Sequence, residues 1–265
     1  MKKCKAGLLS VLFFCLLCGC RTQTQNKQKE TLDLPVVVVG CDNYSPLSYL
    51  DANGNMTGID VDLAREAFSR MGYVPEFEFI NWEDKKDLLA NGEIDCVWSS
   101  FTMTDREDEY SWAGPYMKSH QVVAVNEDSD IWTIADLEGK IIAVQNTTKP
   151  EDIIRSHDGT VPKLQRVISV QKRDLIFILL SKGYVDALAA HDTSVDQFMK
   201  ESGLTFRILE EPLQSVDLGV AFDQSDTRGL NTLLTDTLNE MQQDGTTEQI
   251  IGTYLSNAQS YLEDE

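Results

Sequence analysis

The segments PVVVVG, residues 35–40, and IDVDLAREAFSRMG, residues 59–72, decide the fold class of this chain. The first is a continuous apolar run rich in β-branched residues, which is typical of a strand buried on both faces of a sheet. The second repeats its apolar residues at the helical period, with aspartates near its start and Gly72 at its end. The segment EFEFI, residues 76–80, alternates as a strand does. Together the three segments predict a β-α-β unit.

The same alternation of short strands and helices continues along the chain. Strand patterns lie at 94–98, 140–144, 166–170, 185–189 and 205–209, and helical patterns at 85–90, 150–155, 175–180, 195–201 and 230–241. This alternation predicts an α/β fold in which each β-sheet is flanked by helices. Because two such units follow one another, we expect a ligand cleft between them, since ligand sites favour domain interfaces.

The composition excludes several classes of protein. Of the 265 residues, 42% are hydrophobic and 25% are charged, which is the balance of a globular protein. The chain has 43 acidic and 23 basic residues, a net charge of −20 at pH 7. Such a charge repels phosphate backbones, so we expect no nucleic-acid partner. An acidic membrane surface would not hold the chain by charge either, so membrane association requires a separate anchor.

The first twenty residues contain a candidate anchor. Three lysines precede an apolar run at 7–19 that is too short to span a bilayer and fits the core of a signal peptide. The run ends in Leu17-Cys18-Gly19-Cys20, which resembles a bacterial lipobox. The resemblance implies a signal peptide at 1–19, cleavage before Cys20 and lipidation of its sulfur. The alternative is an ordinary secretory signal in which Cys20 is incidental.

Residues 20–34 are polar and lack an apolar period, so they predict a flexible tether between the lipid and the folded body. We therefore expect a protein anchored by lipid to the outer face of the cell membrane. Two cysteines, Cys41 and Cys96, would remain in the body, either as a disulfide or as two small buried thiols. The histidines are scattered and no Cys/His cluster has metal-ligand spacing, so we expect no metal and no cofactor.

Five motifs follow one another in a recognisable order. They are Tyr44-Ser-Pro46 with Gly58-Ile-Asp-Val-Asp-Leu63; Leu89-Ala-Asn-Gly-Glu-Ile-Asp95; Ser99-Ser-Phe-Thr-Met-Thr104 with Arg106 and Gly114-Pro-Tyr116; Asp136-Leu-Glu-Gly-Lys140 with Ala143-Val-Gln-Asn-Thr-Thr148; and Gly183-Tyr-Val-Asp-Ala187 with His191-Asp192. Over residues 35–256 the chain thereby resembles the extracellular solute-binding proteins, family 3, which are the substrate-binding lipoproteins of polar amino-acid ABC transporters.

The resemblance implies a two-lobed periplasmic-binding-protein-like fold of type II with two hinge crossings. Lobe 1 would comprise 35–121 plus 218–265, and lobe 2 would comprise 122–217. It also implies a function without catalysis: a monomer captures a polar amino acid between its lobes and delivers it to the transmembrane subunits of an ABC permease. A dehydratase-type enzyme on the same fold and an amino-acid sensor domain are the alternatives. The sequence shows no nucleophile–base pair for the first and no membrane span with a signalling module for the second.

The resemblance also implies a set of residues that touch the ligand. They are Tyr44, Trp82, Ser99, Ser100, Thr102, Arg106, Thr147, Thr148, His191 and Asp192. A free amino acid is a zwitterion, so its carboxylate needs a guanidinium, here Arg106, and its ammonium needs a carboxylate, here Asp192. The serines and threonines would add hydroxyl and N–H donors, and the two aromatic residues would form pocket walls.

Alternative interpretations of these residues remain open from the sequence. Arg106 could be a solvated arginine in an acidic run, and Asp192 could cap the helix near Thr193. Trp82 could belong to the core, and His191 could be structural. Two departures from the family pattern also stand out. Only Asp105 separates Arg106 from the threonine of its motif, and Cys41 stands where the family often has an aspartate.

Overall fold

The computed structural model of the protein describes residues 34–263. The predicted signal peptide, the predicted lipidation site Cys20 and all but the last residue of the predicted tether lie outside this range. Within it, no helix combines the length and the apolar character needed to cross a bilayer.

The first half of the sheet contains the segments 35–40 and 59–72, which decide the fold class. Its elements are β1 (Val36–Cys41), the hairpin strands β2 (Tyr49–Leu50) and β3 (Met56–Thr57), α1 (Ile59–Met71), β4 (Val74–Phe79), α2 (Lys85–Asn91) and β5 (Cys96–Thr102). Strand β1 lies between β4 and β5 and runs parallel to both.

The continuous apolar run of β1 is explained by its two buried faces. Val37 and Val39 pack into a core that contains the apolar face of α1, represented by Leu63 and Phe68. Val38 points to the opposite face and packs against a cluster that contains Trp82. Burial on both faces is the reason that this strand does not alternate with polar residues.

The second half of the sheet repeats the arrangement. Its elements are β7 (Ile141–Gln145), α3 (Lys149–Ser156), β8 (Arg166–Val170), α4 (Asp174–Ser181), β9 (Ala187–His191), α5 (Asp192–Ser202) and β10 (Phe206–Ile208). Strand β7 lies between β8 and β9 and is parallel to both. One apolar core lies on each face of this half.

Two strands join the halves. They are β6 (Ser111–Asn126) and β11 (Gln214–Phe222), which pair antiparallel with each other. The first part of β6 lies beside β11, and its last part lies beside β9 and β10. The resulting order is β4-β1-β5-β11-β6-β9-β7-β8. Helices α6 (Leu230–Gln243) and α7 (Thr246–Tyr254) follow β11 and pack onto the core of the first half.

The α/β prediction, with the sheet flanked by helices, is confirmed. The largest shift of a helix start is at α5, which begins at Asp192, three residues before the predicted start. Its N-cap is His191 and not Asp192, whose carboxylate accepts the N–H of the next residue, Thr193, at 2.7 Å. Cys41 and Cys96 are free buried thiols. Burial raises the pKa of Cys41 to about 12, which keeps this thiol protonated and unreactive at neutral pH.

Candidate functional site

A small cavity lies where the two halves of the sheet face each other, at the ends of β5 and β9 and the starts of α3 and α4. The first half contributes Trp82, Ser99, Ser100, Phe101, Thr102 and Arg106, and the second contributes Gln145, Thr148, Lys149, Pro150, Arg173, Ile176, Ala189, Ala190 and His191. The cavity has a volume of about 30 Å³, which holds one or two waters. This volume is too small for an amino acid.

The last part of β5 is held in place by a buried carboxylate. Asp60, in the first turn of α1, accepts the N–H of Ser100 at 2.6 Å and the hydroxyl of Tyr116 at 2.8 Å. Burial raises the pKa of Asp60 to about 7 although both hydrogen bonds favour its charged form. Ser100 has a φ of 50°, a strained value for a residue with a side chain. Asp60 thus fixes the backbone of a cavity-lining residue.

Arg106 reaches the cavity despite the short spacing before it. Its N–H donates to the carbonyl of Met103 at 2.9 Å, and its carbonyl accepts the indole N–H of Trp112 at 2.9 Å. Its guanidinium lies 5.5 Å from the ring centroid of Phe101 and forms an ion pair with Asp152 of α3. The side chain is buried, so Arg106 is not a solvated member of the acidic run.

The structure brings seven of the ten predicted residues to the cavity: Trp82, Ser99, Ser100, Thr102, Arg106, Thr148 and His191. The other three lie beside it. Tyr44 is buried with the Arg173 guanidinium 3.4 Å from its ring centroid. The Thr147 hydroxyl accepts a hydrogen bond from Nζ of Lys85 at 3.0 Å, across the gap between the halves.

Asp192 faces the joining strand β6 rather than the cavity. Its Oδ1 accepts the hydroxyl of Ser119 at 3.1 Å, and its Oδ2 lies 3.2 Å from Nδ1 of His120. In this conformation its carboxylate contacts the first turn of α5 and strand β6. Its predicted contact with a ligand ammonium stays a prediction.

Three polar lining residues were not predicted from the sequence: Gln145, Lys149 and Arg173. Each lies at the carboxyl end of a strand of the second half or at the helix start that follows it. The Nε of Arg173 donates to Oε1 of Gln145 at 2.9 Å, and Lys149 forms an ion pair with Asp105 at 2.7 Å. The usable signal was their position, since ligands of parallel sheets bind at the carboxyl ends of the strands.

His191 ends β9 and is buried in the cavity wall. Its Nδ1 lies 2.8 Å from the Ser119 hydroxyl, and Nε2 of Gln121 lies 3.0 Å from its Nε2. Burial, reinforced by the charges of Arg173 and Arg106, lowers the pKa of His191 to about 3. His191 is therefore neutral at physiological pH.

The lowered pKa of His191 predicts that its contribution to the free energy of unfolding depends on pH. The unfolded chain protonates its histidine near pH 6.5 and the folded chain only near pH 3, so the contribution of His191 falls as the pH drops between these values. The gap in unfolding free energy between wild type and His191→Gln should therefore change by up to about 1.4 kcal/mol per pH unit between pH 6 and 4. Urea denaturation at each pH measures it. Because Asp60 titrates in an overlapping range in both proteins, the difference is the readout, and parallel curves would contradict the assignment.

Within residues 34–263, no three Cys, His, Asp or Glu side chains are grouped to hold a metal ion. The site thus consists of buried cations, hydroxyls and aromatic rings between two halves of a sheet. The family model of the bacterial extracellular solute-binding proteins, family 3, matches residues 36–257. The chain belongs to this family.

Curated relatives include proteins named for the amino acids that they bind. The solute-binding protein is 28% identical over 216 residues to the L-cystine-binding protein TcyA of Bacillus subtilis, covering 77% of this chain and 78% of that protein. It is 27% identical over 227 residues to the histidine-binding periplasmic protein of Salmonella typhimurium, covering 82% of this chain and 86% of that protein.

Solved structures share the fold of this solute-binding protein. A substrate-binding protein of an ABC uptake transporter from Streptococcus pneumoniae, with bound histidine, superposes with a TM-score of 0.78 at 21% identity, covering 83% of this chain and 92% of that one. The ancestral amino acid-binding protein AncCDT-1, a precursor of cyclohexadienyl dehydratase, gives 0.73 at 25% identity, covering 83% and 95%. The type II periplasmic-binding-protein-like fold expected from the resemblance is confirmed.

Proposed function

We propose that this protein is the substrate-binding component of an ABC importer, which closes two lobes on an amino acid and delivers it unchanged to a membrane permease. The observation that carries the proposal is the cavity between the two halves of the sheet, with the buried guanidinium of Arg106 in its wall. A guanidinium in a desolvated cleft can bind a carboxylate through two parallel hydrogen bonds. The amino-acid-binding relatives and the family support the same function.

In the proposed receptor, lobe 1 comprises residues 35–121 and 218–265, and lobe 2 comprises residues 122–217. The hinge lies in β6 and β11. Hydrogen bonds between the halves include those from Ser45 to Glu201 at 2.9 Å and from Gln171 to Asn81 at 2.9 Å. Both are solvent-exposed, and exposed polar contacts of this kind contribute little free energy. In the proposed opening these contacts break together with the ion pairs that Arg106, Lys149 and Arg173 form across the gap, and a ligand that bridges the lobes would favour the closed form.

Small-angle X-ray scattering tests this closure. The radius of gyration should fall when the protein is saturated with the amino acid that stabilises it most in a thermal-shift screen of the twenty standard amino acids. A matched sample with an amino acid that gives no thermal shift should scatter as the free protein does. The same radius in all three samples would argue against a hinged receptor.

The dehydratase alternative has one point in its favour, the likeness to a precursor of such an enzyme. That precursor is itself described as an amino acid-binding protein. We propose no catalysis, because the neutral His191 is engaged with Ser119 and Gln121 in the cavity wall. Mass spectrometry of the ligand after long incubation distinguishes the two functions: a receptor returns it unchanged, and a dehydratase returns it lighter by one water.

We also propose that a lipid on Cys20 anchors the protein to the outer face of the cell membrane. Wild-type protein should incorporate labelled fatty acid and partition into detergent, because two acyl chains hold a protein stably at a bilayer. Cys20→Ala should do neither. The neighbouring substitution Cys18→Ala is the matched control and should leave acylation in place. Equal detergent partitioning of wild type and Cys20→Ala would exclude the lipid anchor.

A further inference from the structure

The charged side chains that line the cavity all carry a positive charge. Three cationic side chains line it, Arg106, Lys149 and Arg173, and none of its described lining residues is an aspartate or a glutamate. A cleft that bound a cationic side chain would present a carboxylate to it, because a buried cation without a counter-charge costs several kcal/mol. The three cationic lining residues therefore favour ligands with excess negative charge.

Each of these cations has its carboxylate partner on the opposite half of the sheet and outside the cavity. Arg106 pairs with Asp152, Lys149 with Asp105, and Arg173 with Asp42. The cationic side chains are 8%, 7% and 10% exposed, whereas their partners are 54%, 64% and 18% exposed. Asp105 and Asp152 line one outer groove together with Lys149, and Asp42 lines another together with Arg173.

The three ion pairs would be broken in the open form of the proposed receptor. When the halves separate, each carboxylate leaves with the other half and each cation stays in the cleft wall. Arg106 then lies on one side of the cleft, and Lys149 and Arg173 lie on the other. An anion with two carboxylates can replace the lost partners on both sides at once, and it thereby favours closure.

Arg173 is already oriented for such a contact. Its guanidinium stacks 3.4 Å from the ring centroid of Tyr44 and donates from Nε to Gln145 at 2.9 Å. Its remaining contact, from NH2 to Asp42, is long at 3.4 Å. A ligand carboxylate at normal hydrogen-bond distance would improve on it. A guanidinium fixed by stacking before binding also loses little entropy when it binds.

Two neighbouring groups are buried beside these cations. Burial lowers the pKa of Lys85 to about 8, with Arg106 acting in the same direction and Asp152, Glu109 and Glu83 in the opposite one. Burial also lowers the pKa of His191, with Arg173 and Arg106 adding to the effect. An acceptor for a ligand ammonium is nonetheless present, because the hydroxyl of Ser100 lines the cavity and is buried without a hydrogen-bond partner.

We infer that the cleft selects an acidic amino acid, with Arg106 binding the α-carboxylate and Arg173 the side-chain carboxylate. The inference rests on the proposed function and adds its substrate class. It separates this protein from its histidine-binding relatives, whose named ligand carries a basic side chain.

Titration calorimetry with L-glutamate, L-aspartate, their amides, L-arginine and L-histidine tests the inference. Glutamate or aspartate should bind at least about 10-fold tighter than its own amide, because the amide has the same shape and lacks the charge that strengthens the hydrogen bonds. Arginine and histidine should bind more weakly still. An acid that binds no better than its amide, or a cationic amino acid that binds best, would overturn the inference while leaving the proposed function standing. No binding by any amino acid would overturn both.

Variants test whether the preference for the acid over its amide depends on Arg173. Arg173→Met should reduce the preference for the acid over its amide to within about threefold, and Arg173→Lys should keep part of it because the charge remains. The adjacent exposed residue gives a control, Lys172→Met, which should preserve the preference. Circular dichroism and the melting temperature verify the fold of each variant. An unchanged acid-to-amide ratio in folded Arg173→Met would contradict the assignment.

Discussion

Arg106→Met should abolish measurable binding of a ligand that the wild type binds with micromolar affinity. The α-carboxylate would be left in a closed cleft without its guanidinium partner. Loss of one member of a buried charge pair costs about 2–5 kcal/mol, which corresponds to roughly 30- to several-thousand-fold in affinity. Methionine retains an apolar stem beside the Phe101 ring, so the loop should keep its course. Titration calorimetry of both proteins with the same ligand measures the loss.

Glu107→Gln is the matched control for this variant, since Glu107 is the next residue along the chain and is exposed. Its affinity should equal that of the wild type within error. Circular dichroism should be the same for all three proteins, because the four apolar clusters of the two halves are formed by other residues. If folded Arg106→Met still bound the ligand within threefold of the wild type, the carboxylate site would have to be reassigned.

Gly58→Ala should have the largest effect on folding. Gly58 precedes α1 with a φ of +126°, and a Cβ built on it lies 2.2 Å from the carbonyl oxygen of Leu47. That loop cannot simply retreat, because the carbonyls of Pro46 and Leu47 accept the N–H groups of Ile59 and Asp60 at 3.0 and 2.9 Å. Strain and collision together should cost more than about 4 kcal/mol. Urea denaturation measures the loss, and failure to fold is its upper limit.

Gly54→Ala separates the collision from the strain. Gly54 also has a positive φ, +83°, but a Cβ there would meet nothing within 4 Å. This variant should lose only about 1–2 kcal/mol, the cost of a left-handed conformation for a residue with a side chain. Equal stability of the two variants would show that the loop at 46–47 yields to the extra carbon.

Local patterns were sufficient to predict the fold class. The valines of β1 and the helical period of α1 each report a buried surface, and burial is what those patterns encode. The motifs also included the end of β5 at Ser99–Thr102 and Arg106, whose backbones are held by contacts within the first half of the sheet and the joining strand β6. The spacing of one residue before Arg106 did not remove it from the cavity, because the Met103 and Trp112 hydrogen bonds hold its backbone.

Residues whose surroundings come from the other half were harder to predict. Asp192 lies beside the cavity, where Ser119 and His120 of β6 contact its carboxylate, and its contact with a ligand ammonium stays a prediction. Arg173 was not singled out, because its role depends on Tyr44 and Asp42, more than a hundred residues earlier. Such contacts are set by how the two halves meet, which no local period encodes.

Titration calorimetry of the purified protein with each of the twenty standard amino acids, followed by recovery and mass analysis of the bound ligand, tests the proposed receptor most directly. We predict saturable binding of at least one amino acid, with one site per chain and the ligand recovered chemically unchanged. Absence of binding by every amino acid, or recovery of a ligand altered in mass, would contradict a receptor that captures an amino acid and delivers it intact.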